Sequence, residues 1–186
     1  VVGLPAGNLL IDTPPDLRVQ LLREQLGIIH SVLFTHAHAD HLFGLDDLRL
    51  FPFYLGHPVP LYAEPDVERV IRETFSYAFE DLRPETHVGS KPQLTFHSIG
   101  ESPFELLGTR IVPIRLEHGP HFRVLGFRIG DLAYCTDTNE ISESGWALLQ
   151  GLDTLVLDAL RDRPHPTHYS LEEATAVAGE LKPRRT

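Results

Sequence analysis

The sequence predicts a mixed α/β chain in which sheets pack as a sandwich with helices outside. Three observations carry this reading. Apolar strand-like runs alternate with helix-periodic segments in the first half of the chain. From Gln93 onward, short strand-like runs follow one another. The last periodic segment opens with Ser170 and Glu173, a spacing that forms a reciprocal helix cap.

Each element has its own local reason. Residues 9–11 are apolar, end at Asp12 and meet Thr13-Pro14-Pro15, so they read as a strand entering a turn. Asp16 stands as the N-cap of a helix whose Leu17, Leu21, Leu22 and Leu26 keep helical spacing, and Gly27 closes it. Residues 28–34 form a second, β-branched strand. Residues 42–51 form a short helix with Leu42, Leu45 and Leu48 three apart, 52–60 read as irregular, and 59–63 as a further strand. Residues 66–79 form a helix with Val67, Val70, Ile71, Phe75 and Ala78 on one side, followed by a polar loop over 83–92. Strands are expected at 94–99, 104–107, 110–116, 124–129, 132–135 and 155–157. No repeat, low-complexity tract or linker divides the sequence, and 1–186 reads as a single domain.

The chain has 186 residues, enough to bury about 70% of its unfolded surface. Its 42% hydrophobic and 23% charged residues exclude a disordered chain. A net charge of −10 disfavours nonspecific binding to nucleic acid or to anionic membranes. Cys135 is the one cysteine, so no internal disulfide forms, which fits a reducing, cytoplasmic setting. No apolar run nears the ~20 residues that span a bilayer, and no signal peptide is read at the start. The sequence lacks methionine and begins at Val1, so we expect a fragment of a longer protein, incomplete at both ends.

The chemistry concentrates in Thr35-His36-Ala37-His38-Ala39-Asp40-His41, directly after the apolar Val32-Leu33-Phe34. In extended backbone, residues two apart project to one side, so His36 and His38 can converge on one point with Asp40 near a second. His41 opens the next helix and can turn back to that second point. Imidazole nitrogen and carboxylate oxygen are ligands that zinc, manganese and iron accept. His118, Asp137 and Asp12 also follow strand-like runs, where a scaffold holds functional groups best.

This run resembles the HxHxDH signature of the metallo-β-lactamase superfamily. The LLIDTP stretch at 9–14, EHG at 117–119 and CTDTNE at 135–140 match in order. THAHADHLFGLDDLR at 35–49 and HPTHYSLEEA at 165–174 resemble the branch containing phosphoribosyl 1,2-cyclic phosphate phosphodiesterase. The resemblance implies an αββα sandwich holding two divalent transition-metal ions, zinc or manganese, with iron also accepted. By position, His36, His38 and His118 would bind the first metal, Asp40 and His41 the second, and Asp137 would bridge them, while Asp12 would orient the ligands from behind. Asp40 and His168 would be catalytic, with His168 contacting the phosphate or protonating the leaving oxygen. The family's final metal-binding histidine and the branch's N-terminal cysteine cluster would lie outside the given sequence.

The implied activity is hydrolysis of a small cyclic phosphate or phosphodiester by hydroxide held between two metals. The alternatives are an RNA-processing endonuclease similar to ribonuclease Z, a thioester, ester or lactam hydrolase, and a non-catalytic binding protein. No lysine-rich insertion for clamping tRNA is present, so nucleic acid is a disfavoured partner and a small phosphorylated molecule the favoured one. The reading leaves room for a homodimer. His165 and Arg161 are secondary candidates for phosphate contact, Arg161 equally for a surface ion pair. His121 reads as an exposed loop residue, His30, His57, His87 and His97 as ordinary surface or core residues, and Cys135 as a small buried apolar residue. Trp146 and the Phe51-Pro52-Phe53-Tyr54 cluster read as core.

Overall fold

The structure, a computed structural model, describes residues 1–80, 87 and 89–186, so part of the polar loop expected at 83–92 lies outside the described residues. The chain divides into two compact units, Val1–Gly100 and Glu101–Thr186.

In the first unit, a hairpin of β1 (Val2–Leu4) and β2 (Gly7–Ile11) leads into parallel strands β3 (Ser31–Leu33), β4 (Val59–Ala63) and β5 (Leu94–Ser98), in the order β1-β2-β3-β4-β5. Parallel neighbours need crossover segments, and helices α1 (Leu17–Arg23) and α4 (Pro65–Thr74) supply two of them. Their apolar stripes, with Val32, Phe34, Val59 and Leu61, close one core. Each fully buried Leu or Val there contributes about 1.5–3 kcal/mol relative to exposure. Because β2 and β3 run parallel with Ile11 beside Leu33, the residues that follow both strands emerge at the same edge.

The second unit is a sheet in the order β10-β7-β8-β9-β11, with β6 (Phe104–Leu106) paired to β7. Strands β7 (Thr109–Glu117), β8 (Arg123–Ile129) and β9 (Leu132–Cys135) form an antiparallel meander, and β11 (Thr154–Leu157) adds in parallel to β9. Two reversals restore direction, so β7, β9 and β11 all end at one edge. β10 (Glu140–Ile141) and helices α5 (Glu143–Leu148) and α6 (Leu171–Leu181) complete the unit. Ser170 caps α6, and Glu173 returns the bond to the Ser170 backbone, as its spacing predicts.

Several local expectations are corrected. Residues 42–51 are not one helix: α2 (Ala39–Leu42) gives way to a 3-10 turn at Leu45–Leu50, then to α3 (Phe51–Leu55). Pro52 does not break α3, because an early helical position needs no N–H. Phe51 and Pro52 are buried, whereas Phe53 and Tyr54 are each 66% exposed, since consecutive helical residues cannot all face one core. α1 ends at Arg23, before Gly27, and Asp16 at its N-cap makes no side-chain capping bond. α4 ends at Thr74 and tightens into a 3-10 turn at Ser76–Phe79. β1, β10 and α5 are additional to the expected elements. No helix among the described residues is long and apolar enough to cross a membrane.

Candidate functional site

In the first unit the site grows from the shared edge of β2 and β3. Asp12 follows β2 with φ 57°, a left-handed conformation that Asp tolerates better than most residues. Its backbone N–H continues the ladder to Leu33 O at 2.8 Å, which carries its carboxylate under the histidine-rich turn. There Asp12 Oδ1 accepts the Thr35 N–H at 2.8 Å, while Oδ2 accepts the Thr35 hydroxyl and His41 Nδ1, each at 2.8 Å. Burial raises the Asp12 pKa, and the hydrogen bonds from His41 and Thr35 oppose that rise.

These contacts fix proton positions. A carboxylate accepts only, so the Nδ1 proton of His41 points at Asp12 and its lone pair sits on Nε2. Thr35 spends its hydroxyl proton on Asp12, so its oxygen accepts the Nδ1 proton of His36 at 2.9 Å. The lone pair of His36 is therefore also on Nε2. One buried carboxylate thus sets the tautomer of two histidines, one of them through Thr35. Thr13 braces the turn from its backbone N–H to His41 O at 2.7 Å and from its hydroxyl to Leu42 O at 3.0 Å.

His36 Nε2 lies 2.9 Å from His38 Nδ1, and His41 Nε2 lies 3.6 Å from Asp40 Oδ2. Two ligands that each stand ~2.0–2.2 Å from one ion are separated by roughly 3–3.5 Å. One pair lies just below and the other just above that spacing, each within about 0.1 Å of it, and their donors are those of a borderline divalent cation, so the cluster fits such an ion.

In the second unit, His118 follows β7, Asp137 follows β9 by two residues and Asp158 follows β11, all at one sheet edge. His118 donates Nδ1–H to Thr167 O at 2.7 Å, so its lone pair too is on Nε2, which stands 4.0 Å from Asp137 Oδ2. Asp137 has φ 55°, the same unusual backbone as Asp12, and its Oδ1 accepts the Thr136 hydroxyl at 2.9 Å. Gly119, with φ +86°, lets the 165–168 segment approach: a Cβ there would lie 2.6 Å from Thr167 Cγ2.

His168 donates Nδ1–H to Asp158 Oδ2 at 2.6 Å, and its ring lies 4.7 Å from that of His118. Asp137, Asp158 and His168 offer atoms within 4.8 Å of one another. Asp158 Oδ2 already accepts from His168 and from Thr138 N–H at 3.0 Å, so we read a hydrogen-bonded Asp–His pair beside Asp137 rather than a third ligand set.

Asp158, Thr138 and Asn139 brace the candidate site and were not singled out by the sequence reading. Thr138 is fully buried; its hydroxyl donates to Glu117 O at 2.8 Å, its N–H reaches Asp158, and its carbonyl accepts Tyr169 N–H at 2.8 Å. Asn139 accepts the Gly119 N–H at 2.7 Å. Together they tie the His118, Asp137 and His168 segments to one another. Asp158 carried a usable signal, an apolar strand run ending in Asp, the same pattern that marked Asp12.

Among the described residues Arg161 makes no ion pair; its guanidinium donates to Arg163 O at 3.0 Å and Pro164 O at 2.7 Å. His121, His57 and His87 are exposed, His97 stacks on Tyr62 and His30 accepts the Asn8 N–H. Cys135 is fully buried in the second core, which pushes its thiol pKa up to about 12, and Trp146 packs against that core partly buried.

The family described as beta-lactamase superfamily domain matches residues 7–186. An octanoyltransferase of Porphyromonas gingivalis is 33% identical over 176 residues, which are 94% of this chain and 34% of that protein. A ribonuclease Z of Picosynechococcus is 36% identical over 93 residues, 47% of this chain and 29% of that protein. The chain therefore spans about a third of the curated relatives it matches. Among solved structures, a diphosphatase of the PhnP family superposes with a TM-score of 0.84 at 40% identity, covering 94% of this chain and 65% of that one. The fold class expected from the sequence is thus the one observed, that of the metallo-β-lactamases.

Proposed function

We propose that this chain, which belongs to the beta-lactamase superfamily, is a metal-dependent hydrolase of a small cyclic phosphate or phosphodiester. In this reading the two units form one domain, 1–186, and their ligands serve one centre for two divalent ions. His36, His38 and His118 would hold one ion, Asp40 and His41 the other, and Asp137 would serve both, with Asp12 orienting His41 directly and His36 through Thr35. Zinc and manganese suit the donors, and iron is also accepted. When bound, two such ions acidify a water and offset phosphoryl charge.

The observation that carries the phosphate reading is the Asp158–His168 pair at 2.6 Å beside Asp137. Asp158 holds the His168 ring so that its other nitrogen can bind a phosphoryl oxygen or deliver a proton. In hydrolysis, water oxygen bonds to phosphorus, the bond to the leaving oxygen breaks, and that oxygen takes a proton from His168. The water proton released is the one that restores His168 over the cycle. The similarity to a PhnP-family diphosphatase supports phosphate ester chemistry.

Two other relatives suggest other readings. The ribonuclease Z similarity covers half the chain, and the −10 charge with only Lys91 and Lys182 as lysines disfavours a long RNA. Covalent acyl transfer would need an accessible nucleophile; the one thiol, Cys135, is buried and protonated. The test is a panel on the metal-loaded protein: bis(p-nitrophenyl) phosphate, 2′,3′-cyclic nucleotides, precursor tRNA, a thioester and a lactam. Turnover of the first two, abolished by Asp137→Ala, supports the reading; turnover of thioester or lactam alone overturns it.

A further inference from the structure

His118 and Asp137 follow different strands of the second unit, and one residue ties the two segments on both sides of His118. Strands β7 and β10 pair antiparallel, with Leu116 opposite Ile141 and Glu117 opposite Glu140, and there the register pairs end. Asn139 carries the pairing further. Its backbone N–H donates to Glu117 O at 3.0 Å, and its side-chain Oδ1 accepts the Gly119 N–H at 2.7 Å. The two bonds grip the residues that flank His118. The His118 N–H groups go elsewhere, the backbone one to Phe122 O at 2.8 Å and the ring one to Thr167 O at 2.7 Å.

The bond to Gly119 needs a side chain. β7 ends at Glu117 and Gly119 has left the extended conformation, with φ +86°, so its N–H is met by an amide oxygen rather than by a ladder carbonyl. Asp137 lies two residues before Asn139, and Thr138 between them donates its hydroxyl to the same Glu117 O at 2.8 Å. Three hydrogen bonds thus join the 137–139 segment to the 117–119 segment, two at Glu117 and one at Gly119. Between these segments His118 Nε2 stands 4.0 Å from Asp137 Oδ2. Removing the Gly119 bond leaves Asn139 and Thr138 holding Glu117 alone, a pivot in place of a clamp. Metal–ligand distances hold to about 0.2 Å, so a small swing about that pivot matters.

We propose that Asn139 is a positioning residue of the metal centre: by bonding on both sides of His118, it fixes the separation of the His118 imidazole from the Asp137 carboxylate. The inference rests on the reading of His118 and Asp137 as ligands of one ion. It assigns the setting of their spacing to a side chain whose own bond goes to backbone.

The test measures zinc affinity, by competition with a chromophoric chelator, in wild type, His118→Ala, Asn139→Ala and Asn139→Asp. Asn139 is half-buried and borders a cavity of about 530 Å³ with Glu117, Gly119 and Ser142, so its truncation opens no sealed void. His118→Ala identifies the binding step that His118 serves. At that step Asn139→Ala should lose about tenfold, the lower end of the range for contacts behind metal ligands. Asn139→Asp keeps the accepting oxygen and should recover most of the loss. The ligand-field spectrum of cobalt-loaded protein should shift in Asn139→Ala and return in Asn139→Asp. Melting of the zinc-free protein reports the fold separately. A lowered Tm in Asn139→Ala with both metal readouts unmoved makes the clamp structural only and overturns the inference. If Asn139→Ala does not fold, Asn139→Ser replaces it; its hydroxyl stops one bond short of the Gly119 N–H, the same loss is expected, and unchanged affinity overturns the inference. Wild type that binds no zinc, or His118→Ala that binds zinc as wild type does, overturns the ligand reading together with the inference.

Discussion

His41 Nδ1 and Asp12 Oδ2 lie 2.8 Å apart, and the same carboxylate oxygen takes the Thr35 hydroxyl proton, so His36 and His41 answer to one buried anion. Loss of such an outer contact typically costs 10–100-fold in metal affinity. In Asp12→Asn the amide would oppose a donor with a donor, against Thr35 or His41. We expect zinc affinity to fall about 10–100-fold, read by competition with a chromophoric chelator. Unchanged affinity would show that Asp12 does not orient the ligands.

Thr138 joins three strand-end segments from a fully buried position. Thr138→Val keeps the shape and removes the hydroxyl donor, leaving Glu117 O without it. A loss of about 0.5–1.5 kcal/mol is expected in urea unfolding, the net worth of one hydrogen bond, because Glu117 O keeps the Asn139 N–H at 3.0 Å. Thr138→Ser should recover most of it.

His168 and Asp158 should act as a pair. His168→Ala and Asp158→Asn are each expected to lower kcat on bis(p-nitrophenyl) phosphate, by about 10²–10⁴-fold for His168→Ala. The double variant should be little worse than His168→Ala, because Asp158 acts through the ring. Metal content by elemental analysis should stay at the wild-type level in both, and its loss would assign the pair to metal binding instead.

How far the sequence alone reaches depends on the strength of each local signal. The turn at 35–41 was legible because two-residue periodicity and ligand chemistry coincide there, and Asp12 because a turn with two prolines follows it. Asp158 ends an equally apolar run, but no cluster of ligand types flags it, and its partner His168 becomes a neighbour only through the loop closed at Tyr169. Thr138 lies inside the CTDTNE stretch, but nothing in its residue type marks it there; its importance comes from hydrogen bonds made in the folded unit. β10 has two residues and α5 six, too few for periodicity to register. Phe53 and Tyr54 look like core by composition, and only the helical phase of α3 turns them outward.

Cys135 sits in the second core with its thiol pKa pushed up to about 12. Native protein should therefore resist a thiol-reactive disulfide reagent at pH 8 and react with one equivalent on unfolding. Fast reaction of the native protein would restore Cys135 as a candidate nucleophile.

Asp153 accepts from Arg184, Arg185 and Thr154, and these contacts hold its pKa well below the usual carboxylate range. A depressed carboxylate pKa contributes stability that is present above the unfolded value, near 4, and is lost as pH falls toward the folded value. The Tm difference between wild type and Asp153→Asn should be seen at pH 7 and shrink below about pH 4. A difference independent of pH would show that the contacts are not electrostatic in origin.

We propose that the ligands of both units serve one pair of ions. Anomalous diffraction from crystals of the zinc-loaded protein tests it most directly. Two peaks are expected, one within about 2.0–2.2 Å of His36, His38 and His118 nitrogens, the other beside Asp40 and His41, with Asp137 reaching both. Peaks held by the side chains of one unit alone, or no peak at these residues, would contradict it.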